Sequence, residues 1–167
     1  MEFKEIKVED LQMNPFTKIG TEWMLITAGD EKSHNTMTAS WGGLGVLWRK
    51  NVATIYIRPQ RYTKEFVDAN DKMTLTFFDE KYKKALTHLG RVSGRDGDKI
   101  AEAGLTPYFM DGTTAFEEAN LVLICRKLYA DDIKEECFID EAADKECYPE
   151  KDYHTMYIVE IEKVYVK

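Results

Sequence analysis

The stretch EWMLITAGDEKSHNTMTASW, residues 22–41, decides the architecture. Its first part, EWMLITAG (22–29), is rich in strand formers, and the polar GDEKS that follows reads as a turn. HNTMTASW (34–41) then returns as the second arm of a hairpin. That second arm is unusual for a strand. Thr36, Thr38 and Ser40 alternate with Met37 and Ala39, and Trp41 and a cluster of glycines follow. A strand that only filled a core would carry Val, Ile or Leu at most of these places. Small side chains at Thr38, Ala39 and Ser40 let a flat aromatic ring approach the strand, whose backbone N–H and C=O groups can bond the ring's heteroatoms. The glycines fit a tight exit from the strand. Trp41 either walls such a pocket or packs into the core.

Outward from this hairpin the chain continues mostly as strands. NVATIYIRP (51–59) is a near-continuous apolar run that Pro59 ends, since proline cannot donate to a ladder. KMTLTFF (72–78) alternates Met73, Leu75 and Phe77 with threonines, and ANLVLICRKLYA (119–130) and HTMYIVEIEKVYV (154–166) are the longest candidates. Helices are fewer and shorter. TKEFVDAN (63–70) has Thr63 as N-cap. EKYKKALTHLG (80–90) puts Tyr82, Leu86 and Leu89 on one stripe, with Asp79 as N-cap and Gly90 beyond the end. DGDKIAEAG (96–104) is capped by Asp98 and closed by Gly104, and DEAADKE (140–146) offers one more turn. No repeat, low-complexity tract or linker divides the chain, so residues 1–167 read as a single domain. Strands dominate and the βαβ rhythm is absent. The expected fold is mainly β, a closed antiparallel barrel with peripheral helices.

Composition limits the function. The chain has 167 residues, 44% hydrophobic and 32% charged, which reads as soluble and globular. Its net charge of −7 argues against nucleic acid or an anionic membrane as the main partner. No apolar run reaches the length of a membrane span, and MEFKEIKVEDLQ lacks the zones of a signal peptide, so a cytoplasmic location is expected. Cys125, Cys137 and Cys147 form no CxxC pair and read as reduced thiols, with no metal site.

Most catalytic constellations are absent. The histidines are His34, His88 and His154, and there is no HExxH, GxSxG or Walker-type loop. GLG at 43–45 is too short for a dinucleotide fingerprint. What remains are two phosphate-friendly segments. QRYT opens a helix after the strand that ends at Arg58, and RVSGRDGDK opens another after Gly90. Both put hydroxyls (Thr63, Ser93), arginines (Arg61, Arg95) and free backbone N–H groups at a helix start, where the dipole favours an anion. Arg58, Arg61, Arg91, Arg95 and Lys99 are locally conspicuous in so acidic a chain. The plainer alternative is that they are solvated or pair with Asp96, Asp98 and Glu65.

The segments NPFTKIGTEWMLITAG, NTMTASWGGLGVLW, VATIYIRPQRYTKEF, LTFF, ALTHLGRVSGRDGDKIAEAGLTP and DYHTMYIVEIE follow in this order from about residue 14 to 162. In these pieces the sequence resembles the flavin reductase-like proteins with an FMN-binding split barrel, in particular the flavoredoxin branch. The resemblance implies a six-stranded antiparallel Greek-key barrel, a homodimer, and non-covalent FMN near the subunit interface. It implies that Asn35, Thr36, Met37, Thr38, Ala39, Ser40 and Trp41 line the isoalloxazine edge. Arg58 and Pro59 would lie beside the ring or ribityl chain, and Arg61, Tyr62 and Thr63 would meet the ribityl-phosphate end. Ser93, Gly94 and Arg95, with Lys99, would complete the phosphate cradle. His154 either approaches the flavin or is an ordinary residue at a strand start. Ala39 and Val159 stand where relatives often carry other small residues, and Cys137 and Cys147 fall in a variable loop.

The flavin would carry the redox chemistry. A nicotinamide from NADH or NADPH would stack on the open ring face and pass hydride to flavin N5, a step that needs no protein acid or base, so no catalytic residue is assigned. The alternative is a flavoredoxin-type carrier that exchanges electrons with protein partners. A flavin-free barrel that binds oligonucleotides is disfavoured by the acidic balance and the scarcity of aromatic-basic stripes. GGLGVLWRKN carries Leu44, Val46, Leu47 and Trp48, which either cover a second chain or close the barrel end.

Overall fold

The structure, a computed structural model, describes residues 2–167. A short strand β1 (Lys4–Ile6) leads into α1 (Pro15–Thr17), where Asn14 accepts a hydrogen bond from the N–H of Phe16 (3.0 Å), and one wide turn of π-helix over Lys18–Glu22. The predicted hairpin follows as β2 (Met24–Gly29) and β3 (His34–Ala39), with Leu25 opposite Thr38 and Thr27 opposite Thr36. Its turn is stapled by Asp30, whose Oδ1 accepts from the N–H groups of Lys32 (2.9 Å) and Ser33 (3.2 Å). The short polar side chain thus supplies the bonds that the turn backbone lacks.

The next strands are β4 (Gly42–Leu47) and β5 (Lys50–Ile57). Helix α2 (Tyr62–Ala69), β6 (Lys72–Phe77), α3 (Lys83–Arg91) and α4 (Lys99–Glu102) come next, then a two-stranded ribbon of β7 (Pro107–Met110) and β8 (Thr113–Phe116). The chain closes with β9 (Leu121–Asp132), α5 (Glu141–Cys147) and β10 (Thr155–Val166). The main sheet is antiparallel throughout and runs β3-β2-β6-β9-β10-β5-β4, with β1 added to β10. Its two end strands are consecutive in the chain, joined only by Ser40 and Trp41. The connection from Ala39 to Gly42 reaches roughly 11 Å at full stretch. The sheet must therefore curl until its ends nearly meet, which makes a barrel split along one seam. The path carries seven strands, one more than the six expected, because 42–47, not read as a strand from the sequence, pairs with β5 along its whole length.

Both faces of the sheet are buried along β2 and β6, and the pleat sorts the residues by period two. Met24, Ile26 and Ala28 of β2 point into the barrel with Ile55, Ile57, Leu75, Tyr157 and Val159. Leu25 points outward, to the same layer as Leu86 and Leu89 of α3, Ile100 of α4 and Phe116 of β8. Val67 of α2 also joins the interior cluster.

Three sequence expectations shift locally. Arg61, not Thr63, occupies the N-cap of α2, so Thr63 lies inside the first turn and is free to bond across to β3. Asp79 precedes a 3-10 turn (Glu80–Tyr82) without capping it; its Oδ1 accepts from Asn120 Nδ2 instead (2.7 Å). Gly90 lies within α3 rather than beyond it, at a point where β3 passes close: a Cβ there would sit 3.2 Å from Thr38 Cβ. Asp98 caps α4 as expected, accepting from the N–H of Ala101 (3.1 Å). No helix among the described residues is long and apolar enough to cross a membrane.

Candidate functional site

The seam leaves β3 with one unpaired edge, and a slot of about 200 Å³ opens beside it. Met37, Thr38, Ala39, Ser40 and Trp41 form one wall; Tyr56, Arg58, Arg61 and His154 form the other. The strand presents little bulk here. Ala39 has no reach, Met37 joins the barrel interior, and Thr38 is turned away by a hydrogen bond from Oγ1 to the carbonyl of Leu86 (2.5 Å). Trp41 is 46% exposed, so it stands at the mouth of the slot and is not part of the core. Thr36 does not line the slot: it is fully buried, and its Oγ1 bonds Thr27 Oγ1 (2.8 Å) and the carbonyl of Ile26 (3.2 Å).

Arg58 is held rigidly at the far wall. Its Nη1 pairs with Asp152 Oδ1 (2.9 Å), and its Nη2 donates to the carbonyl of Cys147 (3.0 Å). The guanidinium lies over the rings of Tyr148 (5.0 Å) and Trp41 (6.0 Å). Pro59 is exposed in a turn closed by the Arg61 N–H to Arg58 carbonyl bond (3.1 Å), the second turn position where its fixed φ fits. That turn swings the chain from β5 into α2 and brings Arg61 under the slot.

Arg61 joins the slot to a second pocket of about 190 Å³, lined by Asn35, Gln60, Tyr62, Thr63, Arg91, Val92, Ser93, Gly94 and Lys99. Two features define its chemistry. The first is an orphan donor. Arg61 Nη1 donates to the carbonyl of Gly90 (2.9 Å), but Nη2 is buried with no partner among the described residues. Burial lowers the Arg61 pKa, and a guanidinium in this setting lacks the anion that would satisfy it. The second feature is a buried lysine. Lys99 is 3% exposed, and its Nζ donates to the carbonyls of Leu89 (3.0 Å) and Val92 (2.9 Å). An ammonium has three donors, so one is left over. Burial first, then the charge of Arg61, pushes the Lys99 pKa down to about 8.

No aspartate or glutamate lines either pocket. In a chain of net charge −7, that segregation leaves Arg61, Arg91 and Lys99 facing the cavities without a carboxylate partner, while Arg58 is paired with Asp152 behind its wall. The remaining donors are arranged around them. Thr63 is buried, and its Oγ1 accepts from Asn35 Nδ2 (2.8 Å), so its own proton stays available. Gly94 touches Asn35 so closely that a Cβ would lie 2.2 Å from Asn35 Oδ1, a contact that only glycine permits. Tyr62 and Thr63 also offer first-turn N–H groups of α2. A phosphate fits this donor set, and a flat conjugated ring fits the slot beside β3.

Of the residues singled out from the sequence, the structure brings Met37 to Trp41, Arg58, Arg61 and His154 to the slot, and Asn35, Tyr62, Thr63, Ser93, Gly94 and Lys99 to the basic pocket. Thr36, Pro59 and Arg95 line neither. Arg95 is turned outward, bonded to Glu65 (2.8 Å) and stacked on the Tyr62 ring at 4.5 Å, the pairing named above as the alternative. Residues the sequence did not single out are Tyr56, Gln60 and Tyr148. Tyr148 is 6% exposed and bonds His154 Nδ1 through its hydroxyl (2.7 Å). No spacing rule links those two positions; the turn after α5 brings them together.

Residues 16–167 match the flavin reductase like domain. The chain belongs to the flavin reductase-like family. Solved structures share the fold of this family. An FMN-binding domain of a flavin reductases-like enzyme from Shewanella baltica OS155 superposes with a TM-score of 0.71 at 13% identity, covering 99% of this chain and 77% of that one. The flavoredoxin of Desulfovibrio vulgaris (Miyazaki F) gives 0.68 at 21% identity, covering 88% and 70%. The flavoredoxin of Methanosarcina acetivorans gives 0.67 at 18%, covering 96% and 76%. No curated protein matches the sequence. At these identities the likeness extends to the split barrel of the flavin reductase-like family, and the residues of the seam are this chain's own evidence for a ligand.

Proposed function

We propose that this protein is an oxidoreductase that holds FMN non-covalently in the seam of the split barrel and takes its electrons from NADH or NADPH. The observation that carries the reading is the buried, unpartnered Nη2 of Arg61 beside Lys99, in an acid-free pocket that shares Arg61 with the slot along β3. FMN, when bound, supplies the redox chemistry. The chain's residues bind and orient it. Arg61, Lys99, Thr63 and Ser93 hold the phosphate, the edge of β3 receives the ring, and Arg58 is a fixed cation at the opposite wall. The same cations attract a nicotinamide nucleotide, which carries at least two negative charges.

A homodimer belongs to the same reading. β4 is an end strand of the sheet, and Val46 (75% exposed), Leu47 (38%) and Trp48 (54%) give its far end an exposed apolar surface. The second reading is an electron carrier that meets a protein partner; the exposed Trp41 at the mouth of the slot favours it. Location in the cytoplasm accords with either.

Titration with FMN and riboflavin tests the phosphate pocket. FMN should bind tighter, and Arg61→Gln should weaken FMN by about 1.5–3 kcal/mol, the value of a charge-assisted bond, while leaving riboflavin unchanged. Equal affinity for the two flavins would overturn the assignment. Anaerobic mixing with NADH or NADPH should then bleach the flavin band near about 450 nm. A flavin that stays oxidised with both nucleotides but is bleached by a reduced ferredoxin would identify the carrier.

A further inference from the structure

His154 enters the slot with one of its ring nitrogens already committed. Tyr148 Oη and His154 Nδ1 are 2.7 Å apart, with both residues almost fully buried. The phenol is locked in place. Its ring packs against Tyr153 (centroids 4.8 Å) and Phe138 (6.0 Å), and the Arg58 guanidinium covers it at 5.0 Å. Trp41 and Tyr56 approach the imidazole from the slot side, at 5.1 and 6.4 Å.

We infer that Tyr148 is a positioning residue: its hydroxyl donates to Nδ1, fixes His154 as the Nε2–H tautomer, and presents Nε2–H to a carbonyl or carboxamide oxygen of the second ligand that enters the slot. The second half rests on the proposed function, since it needs a ligand beside the flavin; the first half does not.

The tautomer follows from counting protons. A phenol has one proton, and the Tyr148 hydroxyl has no hydrogen-bond partner among the described side chains except Nδ1. If Nδ1 carried the proton instead, the buried phenol proton would be left without an acceptor, which costs more than the bond it replaces. Neutral imidazole carries one N–H, so the proton goes to Nε2. That atom has no partner among the described residues, yet it is not one of the buried atoms sealed off without one. The space it meets is the slot that His154 lines. The charged groups around the ring are Arg58 at the end of β5 and Asp152 on the loop before β10, already paired with each other at 2.9 Å. Burial and Arg58 outweigh Asp152 and push the His154 pKa down to about 4, so the ring stays neutral over the ordinary working range. A neutral donor suits an amide or ketone oxygen, and its strength does not change with pH between about 5 and 8.

Nitrogen-15 NMR of the flavin-free protein reads the tautomer directly. Wild type should show a protonated Nε2 and a bare Nδ1. Tyr148→Phe keeps the packed ring, removes only the hydroxyl, and should convert His154 to a tautomer mixture, with an unchanged circular-dichroism spectrum reporting an intact fold. In the FMN-loaded protein, the same variant should raise KM for NADH and NADPH by roughly three- to tenfold, one hydrogen bond's worth. FMN affinity should stay within about twofold, because the pair lies away from the phosphate pocket. His154→Gln offers an amide N–H near the Nε2 position with no tautomer to set. On that background Tyr148→Phe should cost nothing further. A protonated Nδ1 in wild type, a tautomer unmoved by Tyr148→Phe, or a full KM penalty persisting in the His154→Gln background would each overturn the inference. If neither nucleotide bleaches the flavin while the tautomer result stands, the ligand half falls together with the reductase reading, and the pairing of Tyr148 with His154 is upheld.

Discussion

Lys99 offers the sharpest test of the site, because its charge is held under stress until an anion arrives. Its pKa drops from 10.5 to about 8 through burial and the neighbouring Arg61. At about 1.4 kcal/mol per pKa unit, this gap is worth about 3 kcal/mol. A phosphate placed against Arg61 and Lys99 would relieve that stress and raise the pKa again. FMN affinity should therefore be level near pH 7 and fall about tenfold by pH 9, as the free lysine loses its proton. It should also weaken below about pH 6, where the phosphate gains a proton. Lys99→Met removes the cation at similar length. It should lower affinity at pH 7 by about 1.5–3 kcal/mol and abolish the fall toward pH 9, so that the two curves converge in base. Flavin fluorescence quenching across this range measures both. Stability gives an independent check on the flavin-free protein. Between pH 8 and 10.5 the unfolded chain binds more protons at this lysine than the folded one, so stability to urea should rise with pH, by at most about 3 kcal/mol. Lys99→Met should lack that rise. A wild-type affinity that is flat to pH 9, or a Met variant that binds FMN as tightly at pH 7, would refute the reasoning.

Two further outcomes follow from the same geometry. Gly94→Ala places a Cβ 2.2 Å from Asn35 Oδ1 and 3.1 Å from Tyr62, so it should break the Asn35–Thr63 bond, destabilise the fold by about 1–3 kcal/mol and weaken FMN binding, measured by urea midpoint and flavin titration. Trp48 and Arg49 turn the β4–β5 hairpin with φ of 51° and 61°, a conformation that favours Asn-Gly. Trp48→Asn with Arg49→Gly should raise the stability of the folded chain by about 1–2 kcal/mol yet loosen the proposed dimer, which sedimentation and thermal unfolding read separately.

The antiparallel character of the fold was legible because its decisive elements are local. The β2–β3 hairpin announces itself by strand formers around a polar turn, and Pro59 marks the end of β5 within a residue or two. The missing strands failed to show for different reasons. β7 and β8 are joined by Asp111–Gly112, both at positive φ, which is a turn signal that a reading for long apolar runs passes over. β4 gave no such chance. Gly42, Gly43 and Gly45 have poor strand propensity, and a Trp-Arg pair predicts no hairpin turn. The strand exists because β5 next to it is strong and because Gly42 must be small: a Cβ there would lie 2.9 Å from the Thr54 carbonyl.

The site divides along the same line. Arg61, Thr63 and Ser93 could be picked out because phosphate chemistry needs hydroxyls and arginines at helix starts, and such segments are contiguous in sequence. Which arginine faces inward could not. Arg61 and Arg95 are equivalent on paper, but the turn at Pro59 buries the first beside Lys99, and a glutamate at position 65 draws the second out to solvent. The same holds for Tyr148, whose partner His154 is close in sequence but meets it only because α5 and its loop fold back over Arg58. Residue type thus names the candidates, and burial chooses among them. Where burial also strips a cation of its counter-ion, as it does at Arg61 Nη2, the choice points beyond the chain to what must bind there.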